Sequence, residues 1–249
     1  MAKSVEKNAK KKSKWDKRQM GALFVILLMV FSAGAGVVGW IVGTETTPET
    51  PTNQSGGVHV GVLNGQDIYK INDKDYYAVI QTGARPIEWH FRANPINAAN
   101  VTMNFKARYY LGAVATKHPF ILKWENITKV YITFDPYDTP QVIASGTEVA
   151  YGLGAAGWSS VDDLMGTAYT KSSEEQPEMP VITNREVLDR NTSGILAINT
   201  YVDPNDLTEI EGAGTNETDK LILVHGINET DLDLAAVKVK LVLLGLIQP

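Results

Sequence analysis

Twenty-four consecutive residues, Met20 to Gly43, contain no Asp, Glu, Lys, Arg or His. At about 1.5 Å of rise per helical residue they reach roughly 36 Å, enough to cross a hydrocarbon core of about 30 Å with some tilt. The stretch predicts a transmembrane helix, and every other part of the chain is then placed relative to a lipid bilayer. Residues 1–19 form a basic tail with Lys3, Lys7, Lys10, Lys11, Lys12, Lys14, Lys17 and Arg18 against Glu6 and Asp16. Lys and Arg are retained on the cytoplasmic side, so the tail is expected inside and the bulk of the chain outside the cell membrane. Residues 44–57 hold Thr, Pro, Glu, Ser, Asn, Gln and Gly with no apolar side chain, which predicts a solvated stalk. Residues 58–249 remain for one extracellular domain.

Two other readings of the span change the mature protein. Ala33-Gly34-Ala35 offers a small-residue cleavage site after a signal-like core, which would remove residues 1–35. Lys17-Arg18-Gln19-Met20-Gly21 followed by Ala-Leu-Phe resembles an archaeal type IV pilin-like leader, which would remove residues 1–21 and leave the apolar helix as a filament core. Within an intact span Ala35, Gly39 and Gly43 recur every four residues. Small residues at that spacing let helix backbones approach closely in lipid, so the span is a candidate surface for homo-oligomer packing.

Charge separates the two sides. The chain has 23 basic and 28 acidic residues, and removing the tail's eight and two leaves 15 and 26, a net of −11 outside. Such a body argues against nucleic acid as a partner, while the basic tail suits anionic lipid. With no cysteine in the chain, disulfides, thiolate nucleophiles and Cys-ligated metals are excluded. The outer part therefore relies on burial for its stability. Six Asn-x-Ser/Thr sequons follow the span, at Asn53, Asn100, Asn126, Asn191, Asn216 and Asn228. Random placement of the chain's 15 Asn and 31 Ser plus Thr gives roughly two, so six agrees with an N-glycosylated outer surface. Asn53 in the stalk and Asn216 in a Gly-rich loop are the favoured acceptors, because Asn-x-Thr also serves turns and helix caps.

Along the body, Val58–Val62, Asp67–Ile71, Tyr76–Gln81 and Pro86–Arg92 read as short strands, the middle two flanking an Asn72-Asp73-Lys74 turn. Asn94-Pro95 marks a turn. Lys129–Phe134 reads as the clearest buried strand, followed by a helix from about Pro140 to Gly152, a Gly/Ser-rich break and an acidic loop near Ser172–Pro180. Ile195–Tyr201 and Lys220–His225 are two more strands. Leu232, Ala235, Ala236, Val239, Val242, Leu243 and Leu246 keep one helical face, which predicts a closing helix with Thr230 as N-cap and Asp231 and Asp233 at its positive end. Strands interspersed with helices over one core predict an α+β or α/β domain.

The segments Phe91-Arg92-Ala93-Asn94-Pro95 and Lys129-Val130-Tyr131-Ile132-Thr133-Phe134-Asp135-Pro136, then paired strands and a closing helix that ends Leu243-Leu244-Gly245-Leu246-Ile247, resemble uncharacterised archaeal proteins with one N-terminal span. The resemblance implies a membrane-anchored architecture and an archaeal source, and it brings no catalytic residues. Members often carry an acidic residue before the first proline, a basic one after it and C-terminal cysteines; this chain has Asn94, Ile96 and no Cys.

No constellation specifies a reaction. His59, His90, His118 and His225 lack metal-clamp spacing and read as surface or packing histidines. Ser145, Ser159 and Ser160 lack a Gly-x-Ser-x-Gly elbow. The glycines form neither a phosphate-cradling loop nor a dinucleotide fingerprint, so no cofactor is expected. Asp135 and Asp138, after the strongest strand, are the weak candidates for calcium or for carboxylate catalysis, with Asp203-Pro204-Asn205-Asp206 and Asn72-Asp73-Lys74-Asp75 as further oxygen sources. The leading expectation is a non-enzymatic surface protein that binds an envelope protein or glycan. Its rivals are a pilin-like filament subunit and a membrane-tethered, carboxylate-dependent hydrolase.

Overall fold

The computed structural model describes residues 57–82, 85–118, 121–122, 126–160, 162–182, 194–213 and 220–249. The basic tail, the predicted span and the stalk up to residue 56 lie outside them. Among the described residues no helix is long and apolar enough to cross a membrane.

The first four strands form an antiparallel meander: β1 (Val58–Leu63), β2 (Gln66–Lys70), β3 (Tyr76–Thr82) and β4 (Arg85–Phe91), in that order. Asn64 and Gly65, at φ 46° and 80°, make the two-residue turn between β1 and β2, where positive φ at both positions matches the strands' twist. Between β2 and β3 the Asn72 side-chain oxygen accepts from the N–H groups of Lys74 and Asp75, at 2.9 and 3.0 Å, and folds the predicted turn on itself. Ile68, Ala78 and Phe91 face inward and are buried.

Asn94-Pro95 is not the free turn expected. Asn94 caps a one-turn helix, α1 (Pro95–Ala98), its side chain accepting from the Ile96 N–H at 2.9 Å with Pro95 at the first helical position, where a missing N–H costs nothing. Next come β5 (Thr102–Met103) and α2 (Phe105–Thr116), a helix the sequence reading left unassigned. Asn104 caps α2, and Ala107, Tyr110, Leu111 and Val114 bury one face at helical spacing. Then β6 (Lys129–Phe134), α3 (Pro140–Ala155) and β7 (Met165–Tyr169) form a parallel crossover. Strands β8 (Ile195–Val202), β9 (Glu209–Ala213) and β10 (Leu221–Gly226) lead to α4 (Glu229–Leu243).

The second sheet has the order β5-β9-β10-β8-β6-β7. Strands β7, β6, β8 and β10 run parallel, and β9 opposes β10. Even-numbered residues of β8, such as Leu196 and Ile198, face the helices; a Cβ on Gly146 of α3 would meet Thr200 Oγ1 at 3.3 Å and Ile132 Cγ2 at 3.4 Å.

Helix α4 is buried over ten of its fifteen residues, from Leu232 through Leu243. A helix covered nearly all round lies between layers rather than on one. The six-stranded sheet takes one side through β10, where a Cβ on Gly226 would lie 2.2 Å from the Leu232 nitrogen, so only glycine fits that approach. The meander takes the other: Lys240 Nζ donates to the His90 carbonyl at 2.6 Å and lies over the Phe91 ring. The result is a mixed α and β body in which helices separate two sheets. The α4 N-cap is Asn228 instead of Thr230, because Asn228 is the last extended residue and its side chain accepts from the Asp231 N–H at 3.0 Å. Asp231 sits in the first turn as expected, while Asp233 points inward.

Candidate functional site at the carboxyl edge of the parallel strands

Three adjacent parallel strands, β6, β8 and β10, deliver their following loops to one edge, the usual ligand position in open α/β sheets. After β6 comes Asp135-Pro136-Tyr137-Asp138, and after β8 the matching Asp203-Pro204-Asn205-Asp206. In each, the first aspartate accepts from the N–H two residues on, Tyr137 at 3.0 Å and Asn205 at 2.9 Å. The loops join laterally: the Asp203 N–H donates to the Gly226 carbonyl at 3.0 Å, the Ile227 N–H to Thr208 Oγ1 at 3.4 Å, and Thr139 Oγ1 to Glu229 Oε1 at 2.6 Å.

Asp135 and Asp138 thus lie at a strand's carboxyl end, as predicted, within one tight turn. Burial pushes the Asp135 carboxyl up, but the Lys171 ammonium at 2.7 Å and the Tyr137 N–H outweigh it and hold the group below its ordinary range. Burial raises the Asp138 carboxyl, the Asp135 N–H at 2.7 Å opposes this, and the Asp135 charge adds to it. Calcium takes six to eight oxygens. Here one Asp135 oxygen is held by Lys171 and the other by a backbone N–H, and no three His, Asp or Glu converge to hold a metal among the described residues.

The sheet face turned away from the helices carries residues that sequence reasoning did not single out as a group. Register sets Thr133, Asn199, Leu223 and Glu211 in one transverse row across β6, β8, β10 and β9, and Tyr201, His225 and Glu209 in the next. Thr133, Asn199 and His225 are buried, and Thr133 Oγ1, Asn199 Oδ1 and both His225 ring nitrogens have no hydrogen-bond partner among the described residues. The His225 ring stacks on Tyr201, centroids 5.2 Å apart at 15°. Burial, then the charges of Glu211, Asp203, Asp206 and Glu209, push the Tyr201 hydroxyl up to about 12. The available signal was the alternation Ala197, Asn199, Tyr201 in β8 against Leu221, Leu223, His225 in β10, which puts polar groups on one face of otherwise apolar strands.

A second polar cluster lies inside the body. Asp233 accepts from Ser145 Oγ at 2.7 Å and Gln141 Nε2 at 2.5 Å and pairs with Arg92 at 3.5 Å. Two turns further along α4, Lys240 pairs with Glu148 at 3.0 Å, and burial pushes the carboxyl up and the ammonium down. Ser145 is wholly buried, so this network clamps α3, α4 and the end of the meander together and offers nothing to a substrate.

Comparison of the chain with known protein families, with curated proteins and with solved structures finds no match. Its own residues therefore carry the functional argument. Of the predicted acceptors, Asn100 and Asn126 are exposed at turns, Asn126 with a positive φ of 53°. Asn228 is exposed too, but its amide nitrogen donates to Asp231 Oδ2 at 2.7 Å while its oxygen caps α4. Asn53, Asn191 and Asn216 lie outside the described residues, as do Ala35, Gly39 and Gly43.

Proposed function

We propose that this chain is a single-pass archaeal surface protein, anchored by Met20–Gly43, whose N-glycosylated outer body binds an envelope protein or glycan without catalysing a reaction. The observation that carries the reading is the uncharged run of twenty-four residues directly behind a tail with eight cations. Exposed sequons at Asn100 and Asn126 support it. The hydrolase alternative needs two carboxyls facing each other across a cleft, about 5–5.5 Å apart for retention and about 6.5–9.5 Å for inversion. Asp135 and Asp138 are three residues apart in one turn, and Asp135 is tied to Lys171.

Protease added to intact cells tests the reading. The body is expected to be cut while the basic tail survives with the membrane fraction. A body shielded until the cells are broken sinks the topology. Mature protein beginning near residue 22 or 36 moves the assignment to the filament subunit or to a secreted form.

A further inference from the structure

We infer that β1 is an open sheet edge on which the β1 of a second copy of this chain pairs antiparallel, joining two meanders into one continuous sheet. The contact lies in the body, beyond the packing stripe predicted for the span, and the inference rests on the proposed anchoring.

Among the described residues the two sheets have four edges, and three of them are protected. Strand β4 carries Pro86 with Arg85 and Glu88, and its His90 carbonyl is taken by Lys240 Nζ at 2.6 Å. Strand β5 has only two residues. Strand β7 is covered at its carboxyl end, where Tyr169 bridges Val181 and the Ile182 N–H donates to the Tyr169 carbonyl at 2.8 Å. Proline, charge, shortness and cover are the means by which native sheets keep further strands from adding. Strand β1, Val-His-Val-Gly-Val-Leu, has none of these. Val58, Val60 and Val62 are 70 %, 36 % and 56 % exposed, and among the described residues the strand pairs only with β2. Its one titratable side chain, His59, is already paired with Asp67 of β2 at 3.1 Å. The only guard is a bulge at Val60, which breaks the register between His59 and Gly61 and leaves Gly61–Leu63 as the longest regular stretch. So short an edge pairs weakly between chains free in solution and needs help to hold a partner.

Chain length and charge select a second copy as the occupant. Fourteen residues, 44–57, separate the apolar run from β1, a reach of at most about 46 Å at about 3.3 Å each. Copies anchored in one membrane therefore keep their β1 edges within one thin layer, and such confinement raises the effective concentration until a short edge suffices. A strand from a soluble protein has no such help. Stalk and body carry a combined net of −11, so two copies repel wherever their acidic surfaces approach. Strand β1 contains no Asp, Glu, Lys or Arg, and pairing it with itself sets no like charges opposite one another. A two-fold axis between identical edges makes the pairing antiparallel and the contact self-complementary. A basic partner strand suits the acidic body but finds no carboxylate in β1 to meet it.

The test uses the full chain in phosphatidylcholine vesicles. The chain has no cysteine, so single introduced cysteines report position without background. Val60→Cys and Val62→Cys are treated with a short bis-maleimide beside Leu207→Cys, which is 73 % exposed in the loop after β8. Both β1 positions are expected to give covalent dimers whose yield holds as the vesicles are diluted with lipid, while Leu207→Cys gives few. Adding Val62→Lys to Val60→Cys is expected to cut the yield severalfold, because the pairing then brings two ammonium groups together; Val62→Thr, uncharged and β-branched, is expected to preserve it. Val62 is exposed, so neither change puts folding at risk. Equal yields at β1 and Leu207, a yield that falls in proportion to lipid dilution, or a yield indifferent to Val62→Lys overturns the inference. Protease on intact cells reads the side of the membrane and cross-linking reads the β1 edge, so the two claims fail separately.

Discussion

Tyr201 carries the clearest pH signature at the level of single residues. Its hydroxyl is raised from 10.0 to about 12 by burial and by four nearby carboxylates, so the folded body holds that proton more tightly than the unfolded chain. Stability from this group is intact below pH 10 and is lost as pH rises through about 12. The wild-type chain is expected to lose stability across that alkaline window more steeply than Tyr201→Phe; denaturant midpoints measured at several alkaline pH values decide it, and parallel slopes would refute the coupling. The buried pair poses a different question of magnitude. Glu148→Gln leaves the Lys240 ammonium buried without its counter-charge, and breaking such a pair costs about 3–5 kcal/mol. Replacing both, as Glu148→Leu with Lys240→Met, is often neutral for an isolated pair. Here Lys240 also serves the His90 carbonyl and Glu148 the Arg92 N–H, and each orphaned backbone group costs about 1–3 kcal/mol. The double variant is therefore expected to recover only part of the loss, read as the urea midpoint of wild type, single and double variants.

Glycines within and beside the central helices test the packing of whole elements. A Cβ on Gly154, near the end of α3, meets nothing within 4 Å, so Gly154→Ala is expected to stabilise by about 0.5–1 kcal/mol through backbone entropy. Gly226→Ala puts a methyl 2.2 Å from a backbone nitrogen of α4 that cannot step aside, and overpacking of this kind costs about 1–3 kcal/mol or more. Opposite shifts in melting temperature are expected, about 2–4 °C per kcal/mol for a body of this size; shifts of the same sign would mean that α4 does not sit tightly on β10. Local pattern explains which elements were legible in sequence. Lys129–Phe134 is a dense β-branched and aromatic run, and the last helix holds an apolar face with carboxylates in its first turn, so both stood out. Helix α2 was hidden because the exposed Phe105 and the half-buried Tyr109 blur its stripe. Strand β7, Met-Gly-Thr-Ala-Tyr, has too little bulk to read as a strand and is held by parallel pairing with β6. Asp135 and Asp138 were found because an aspartate-proline pair after a strong strand is visible locally. The Tyr201 face was not, since it exists only once β8, β10 and β9 are placed side by side.

For the whole molecule the governing asymmetry is electrostatic: a tail with eight cations on one flank of the apolar run, and a stalk and body with a combined net of −11 on the other. Without a cysteine the body relies on burial, and its main core is continuous from Ile68 of the meander through Leu111 and Leu241 to Ile198 of the second sheet, with a smaller cluster of Ala168, Ile182, Ala197 and Leu221 on that sheet's other face. Folding therefore places the acceptor sequons of the described residues, Asn100, Asn126 and Asn228, on one compact unit, where local geometry discriminates among them. Asn126 presents its amide at an exposed turn and the exposed Asn100 amide makes one long bond, to the Ile96 carbonyl at 3.4 Å, whereas the Asn228 amide is spent twice over on the start of α4. On the proposed outward topology, Asn100→Gln and Asn126→Gln are each expected to lower the mass of the membrane-derived protein by one glycan. Asn228→Gln is expected to leave the mass unchanged and to cost about 1 kcal/mol of stability through the lost cap. The two readouts separate location from packing: unchanged mass in all three variants would remove the support that glycosylation lends to an outer surface, while a normal melting temperature in Asn228→Gln would mean that Asp231 and its neighbours are held by α4 itself.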